Sequence, residues 1–276
     1  IYWYSGSNAN ALLSATIYVQ GTWDFLSGAE VFLNAGYVDF FGTGTSYIRS
    51  RDDDSHFYHV RNNKTGDELG HSALSTHPCR ITGNLYIYTN CKLTSFTSES
   101  FFVGNYINNM NGIIELNDGT VVFNGTGGTS NFMPGDYFNN VIISSSGGTT
   151  VFDDNIEIKG NLTINSGTLS PGSTTMTIGG DWSNNVGASG FNEGTGRVIF
   201  NGPDHQYIYS NEDFNILEIN KGAALRVSNV AHTVTCNQYD WTAGAIDVLA
   251  GTFTALDLAD NGVYGSFYVN PGGTIN

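Results

Sequence analysis

Residues 160–182 read GNLTINSGTLSPGSTTMTIGGDW, and this stretch decides the fold because it recurs. Gly83-Asn84-Leu85 precedes Gly160-Asn161-Leu162 at an offset of 160 − 83 = 77, and Ile87 precedes Ile164 at the same offset. Leu93, Phe102, Gly104 and Tyr106 precede Leu169, Ile178, Gly180 and Trp182 by 178 − 102 = 76. Downstream, Tyr239, Trp241, Gly244 and Ile246 follow Leu162, Ile164, Gly167 and Leu169 by 239 − 162 = 77. A fixed long period marks a stacked architecture.

Working outward, residues 1–37 form a partial repeat or N-terminal coils, 38–120 a first repeat, 121–197 a second and 198–276 a third, in one continuous solenoid. The offset from Val60 to Val141 is 141 − 60 = 81, four more than the 77 from Gly83 to Gly160. The extra length falls within residues 64–82, expected as a projecting loop insertion, with 67–74 as its one candidate for a helical turn. Insertions in stacked repeats map to loops on one face.

Elsewhere the chain consists of short runs with alternating apolar positions, such as Ile156/Ile158, Leu162/Ile164, Met176/Ile178, Val198/Phe200 and Leu217/Ile219. Alternation at period two reads as half-buried strand. Gly, Asn, Asp and Ser punctuate the runs, and these residues accept tight turns. The reading is all-β: a right-handed parallel β-helix of about three 77-residue repeats, with coils of roughly 20–25 residues stacked ~4.8 Å apart, so that one repeat is expected to span about three coils. Tandem β-sandwiches are the alternative.

Charged residues are only 13% of the chain and the net charge is −15, which argues against nucleic acid and anionic membrane, both of which need clustered Lys and Arg. No apolar run reaches the ~20 residues that cross a bilayer as a helix. Three cysteines, Cys79, Cys91 and Cys236, are not an even disulfide framework. Cys79 and Cys91 are near enough in sequence to pair, and Cys236 reads as a small buried side chain. The chain starts at Ile1, and residues 274–276 stand where a further copy would begin. Both features lead us to expect an excerpt of a longer polypeptide.

The runs GNLTINSGTLSPGSTTMTIGGDWSNN (160–185), GTGRVIFNG (194–202) and FNILEINK (214–221) resemble the repeat unit of large secreted and cell-surface proteins of Bacteroidota, often cargo of the type IX secretion system. The resemblance covers residue 38 to the C-terminus. It implies a parallel β-helix, an extracellular or cell-surface location, and roles in adhesion, matrix or surface-layer building.

The densest group of chemistry-bearing residues is Arg51-Asp52-Asp53-Asp54-Ser55-His56, followed by His59, Arg61, Asp67, Glu68, His71 and His77. Adjacent carboxylates raise one another's pKa unless a cation intervenes. Asp52, Asp53 and Asp54 are therefore the candidate ligands for calcium, in a chain otherwise expected to carry no cofactor, although no EF-hand or β-roll order is present. Asp53-Asp54, Gly70-His71-Ser72 and Arg80-Ile81-Thr82 resemble in order the catalytic motifs of polygalacturonases. The spacings are short, and a second Gly and a Lys are missing. Asp53, Asp54 and His71 are thus the catalytic alternative in a chain that reads as a non-enzyme. Inverting hydrolysis needs carboxyls ~6.5–9.5 Å apart across a cleft. His71, His77, Cys79 and Cys91 lack zinc-ribbon or finger spacing. Tyr207, Tyr209, Tyr239 and Trp241 form a candidate aromatic strip for glycans, half of it expected in the core.

The expectation is a non-enzymatic extracellular segment, structural or adhesive, of a larger secreted or surface protein. Its partners would be other surface proteins, glycans, or neighbouring domains of the same chain, with no nucleic acid and no membrane insertion. A carbohydrate-binding or polysaccharide-cleaving β-helix is the alternative.

Overall fold

The computed structural model describes residues 2–3, 8–28, 30–229, 231–258 and 266–276. The chain is an all-β solenoid of about 12 turns. Every registered strand pair among the described residues is parallel. Sandwiches are assembled mainly from antiparallel hairpins, so the tandem-sandwich alternative is set aside.

Each coil runs through three walls in turn. On the A wall, residues 156–158 pair with 176–178, and these with 198–200. On the B wall, residues 141–143 pair with 162–164, and these with 182–184. On the C wall, Thr150 faces Leu169, and Leu169 bridges Phe191. The long strand Tyr137–Phe152 rounds the corners and serves all three walls, with register shifts at Ile143/Ser144 and Ser144/Thr149. Earlier in the chain the C wall belongs to a separate five-stranded sheet of Asn8–Val19, Glu30–Gly42, His59–Lys64, Leu85–Ile87 and Ile107–Asn109, whose first two strands also run along the B wall.

The alternating apolar positions do what their period requires. Ile156, Ile158, Leu162, Ile164, Met176, Ile178, Val198, Phe200, Leu217 and Ile219 are all buried, in one core that runs from Val19 to Phe253. Clusters of edge-to-face and tilted aromatic rings fill it at intervals. Trp23, Phe25 and Phe57 form one cluster; Phe123, Phe132, Phe138 and Phe152 a second; Trp182, Phe191, Phe200 and Phe214 a third. Each buried ring contributes roughly 1.5–3 kcal/mol of transfer free energy.

The long recurrence does not stack copy on copy. Leu85 faces Val60 and Ile107 on the C wall. Leu162 faces Val141 and Trp182 on the B wall, and Tyr239 faces Leu217 on the A wall. A coil advances by about 21 residues, as from Asn140 to Asn161. Three coils fall short of the repeat by 77 − 3 × 21 = 14, two-thirds of a turn, so each copy lands one wall away from the last. Gly-Asn-Leu therefore does the same local work at two different corners. It turns from B to C at Gly83 and from A to B at Gly160. Glycine is needed at such corners because successive coils close on one another. A Cβ on Gly104 would overlap the Thr82 carbonyl, and one on Gly125 the Gly104 carbonyl.

Residues 64–82 are not a projecting loop. Glu68–His71 lies between the strands Ser46–Ser50 and Lys92–Ser95, and Cys79–Ile81 pairs with Phe101–Val103. Leu69, Cys79 and Ile81 are buried, so apolar alternation holds the segment in the wall. The expected helical turn at 67–74 is strand over 68–71 for the same reason. The extra length is taken up in one longer coil, in which Val60 faces Leu85 at an offset of 85 − 60 = 25. The strands are interrupted by a short bend at 65–67 and by residues 72–78, which carry the exposed Leu74. Cys79, Cys91 and Cys236 are free and buried, so the 79–91 pairing does not form. Cys91 instead donates to the Lys64 carbonyl at 2.8 Å.

Candidate functional site: an aromatic and amide face on the C wall

Inward residues on the early C wall are Val38, Phe40, Val60, Leu85, Ile87 and Ile107. Strand alternation sends their neighbours outward, and these are chemically distinctive: Tyr37, Asp39, His59, Arg61, Tyr86, Tyr106 and Asn108. The register brings them together from four successive coils.

Tyr37 stacks on His59 with ring centroids 4.8 Å apart, and the Arg61 guanidinium lies 3.6 Å from the Tyr37 ring centre. The His59 Nδ1 accepts the backbone N–H of Asn84 at 2.8 Å. Burial, with the Arg61 charge, lowers the pKa of His59. The ring is therefore neutral at neutral pH, with its proton on Nε2. Burial raises the pKa of the Asp39 carboxyl, against the pull of Arg61 and Asn63.

An amide and hydroxyl network continues from there. Asn84 Nδ2 donates to the Tyr86 hydroxyl at 3.0 Å, and the Tyr86 and Tyr106 hydroxyls are 3.2 Å apart. Asn105 Nδ2 donates to Asn84 Oδ1 at 3.2 Å, and Asn105 Oδ1 accepts from the Thr126 hydroxyl at 3.2 Å. Burial and the Tyr106 hydroxyl raise the pKa of Tyr86, so it stays a neutral donor. Beside this network lies an open groove of about 550 Å³, whose lining includes Asn84, Asn105, Tyr106, Asn108, Thr129 and Asn131. Gly127 and Gly128 form part of its wall, and a Cβ on Gly128 would press on the Tyr106 ring at 3.0 Å. No residue lining the groove is charged.

The residues singled out from sequence are dispersed. Asp52 Oδ1 accepts the backbone N–H groups of Asp54 and Ser55 at 3.1 and 3.0 Å and the Ser55 hydroxyl at 3.1 Å, closing a turn. Asp53 and Asp54 are exposed. The Asp53 carboxylate lies 3.8 Å from His77, and its backbone carbonyl accepts from Arg80. His71 faces inward, 1% exposed, against Phe101. Neither of its ring nitrogens has a hydrogen-bond partner, and burial pushes its pKa down to about 4. Asp53 and Asp54 outside the wall and His71 within it do not form one site. Among the described residues no three His, Cys, Asp or Glu side chains converge as a metal centre would require. The aromatic strip also divides. Tyr207 and Tyr209 stack outward with centroids 5.5 Å apart, whereas Tyr239 is 4% exposed and Trp241 packs on the core.

Sequence reading passes over Tyr37, Tyr86 and Tyr106 because they are scattered along the chain from position 37 to position 106. The available signal was local: each adjoins an inward aliphatic residue, Val38, Leu85 or Ile107, and so points outward. Compared with known proteins, the chain matches no family model, no curated protein and no solved structure.

Proposed function

We propose that this chain is a non-enzymatic, extracellular segment of a larger secreted or cell-surface protein, working as a stiff adhesive spacer. The observation that carries the reading is the single core running the length of a parallel stack, flanked by an outward face rich in tyrosine and asparagine. A solenoid of this kind is quasi-one-dimensional, each coil bonded along its length to the next. That geometry suits a spacer that holds a contact surface away from its anchor. The separation of Asp53 and Asp54 from His71 supports adhesion over cleavage. Low charge content, with the net charge of −15, supports a contact surface built from neutral polar groups.

The test is to present the purified chain on beads and measure retention on extracellular matrix and bacterial envelope preparations, while assaying acidic and neutral polysaccharides for released product. Retention without product is expected. Product release, abolished in Asp53→Asn, would overturn the non-enzymatic reading, and loss of retention on every surface would overturn the adhesive one.

A further inference from the structure

Resting on that adhesive reading, we infer that the C-wall groove bounded by Asn84, Asn105, Tyr106, Asn108, Thr129 and Asn131 is a binding site for a neutral oligosaccharide, with Tyr86 and Tyr37 extending the contact along the axis. Three observations converge on this ligand chemistry.

The first is the lining itself. Amides, hydroxyls and a phenol supply both donors and acceptors, and no charge. A pyranose carries hydroxyls that donate and accept at once, so paired amide and hydroxyl partners suit it. An apolar ligand would cut the remaining donor and acceptor capacity of those groups off from water without replacing it, which costs free energy. A phosphate or carboxylate would meet no cation in the groove and a net charge of −15 on the chain around it.

The second is the partnering of the wall. The strands Leu85–Ile87 and Ile107–Asn109 pair with each other; the first is also paired to Val60 and Asn62, and the second is bridged to Asn131. Among the described residues no free strand edge is open at the groove, so an extended peptide could not add there by backbone pairing.

The third is spacing and orientation. Tyr86 and Tyr106 belong to neighbouring coils, with ring centroids 6.1 Å apart, and Tyr37 lies 6.0 Å from Tyr86. Coils repeat at ~4.8 Å, close to the length of one sugar ring. A linear chain lying along the solenoid axis therefore meets a tyrosine or amide row on the coils of Tyr86, Asn108 and Asn131, and the imidazole of His59 on the coil between Tyr86 and Tyr37. The Asn84–Tyr86–Tyr106 hydroxyl and amide network holds these groups in place before a ligand arrives, which lowers the ordering cost of binding.

The experiment is isothermal titration of the intact chain with neutral hexa-oligosaccharides (gluco-, manno- and xylo-configured) and a hexa-uronate, alongside Tyr106→Ala, Asn108→Ala and Thr129→Glu. Thr129 is exposed, so Thr129→Glu reads the groove without burdening the fold, and melting curves accompany each variant. The expected result is binding of at least one neutral series, weakened at least tenfold by Asn108→Ala and by Thr129→Glu at unchanged melting temperature. Binding confined to the uronate, no binding of any neutral series, or neutral binding indifferent to all three substitutions overturns the groove assignment, while retention on beads leaves the adhesive reading standing. No saccharide binding together with no retention on any surface overturns both.

Discussion

Asn140 and Asn161 stand one coil apart at the corner between the A and B walls, and the Asn140 Oδ1 accepts the backbone N–H of Asn161 at 2.8 Å. Asn161 repeats the act one coil on, accepting from Asp181 at 2.7 Å, and Asp181 accepts from Tyr207 at 2.9 Å. The ladder satisfies corner amides that the walls cannot reach. Replacing Asn161 with Ala leaves the Asp181 N–H to solvent, and a loss of about 1 kcal/mol is expected, read as a lowered urea midpoint. An unchanged midpoint would assign corner closure to backbone bonds alone.

The same closeness makes some glycines irreplaceable and others not. A Cβ on Gly148 would overlap the Thr126 carbonyl, while one on Gly222 would meet nothing within 4 Å. Gly148→Ala is expected to cost about 1–3 kcal/mol as overpacking. Gly222→Ala is expected to stay within about 0.5 kcal/mol of the parent. Equal effects in chemical denaturation would contradict the corner geometry.

Glu212 sets a pH dependence. Its carboxyl is 1% exposed and accepts from Trp182 Nε1 at 2.7 Å, with Asn184 Nδ2 and the Ser210 hydroxyl also in reach. Burial pushes its pKa up from 4.5 to about 8, against the pull of those donors. The folded chain therefore keeps a proton that the unfolded chain releases. The stability this contributes is complete below pH 4.5 and is lost as pH rises to about 8. Glu212→Gln should flatten that decline and exceed the parent in stability at pH 8, followed by tryptophan fluorescence during denaturation. A parent curve already flat across this window would show the carboxylate to be ionised in the fold.

The three thiols are inert by burial. Desolvation raises the pKa of Cys79 and Cys91 and pushes that of Cys236 up to about 12. Thiolate is the reactive form. A thiol reagent should find none of the three in the native chain and all three after denaturation, and a reductant should leave the melting temperature unchanged. Destabilisation by the reductant would mean that a disulfide exists after all.

Much of the fold was legible because its signal is local. Ile156 and Ile158, or Leu217 and Ile219, point the same way because a strand has period two, and this holds wherever the strand lies. The parallel stack was legible because the pattern recurred over long spans. The candidate site was much less so. The acidic run at 52–54 read as a cluster, but Asp52 turns its carboxylate back on its own turn while Asp53 and Asp54 face solvent. Consecutive residues share sequence, not direction.

From the sequence alone follow the all-β class, the parallel solenoid and the inward set of apolar residues, since these depend on alternation and on what glycine and asparagine permit at a bend. Only the tertiary structure decided which wall each segment joins. The coil closes after about 21 residues, as from Asn140 to Asn161, and the long repeat is not a whole number of coils. That mismatch carries Leu85, Leu162 and Tyr239 onto three different walls. Wall assignment also sends His71 into the core and gathers Tyr37, Tyr86 and Tyr106 on one outer face, because contacts between coils are fixed by where the chain closes on itself.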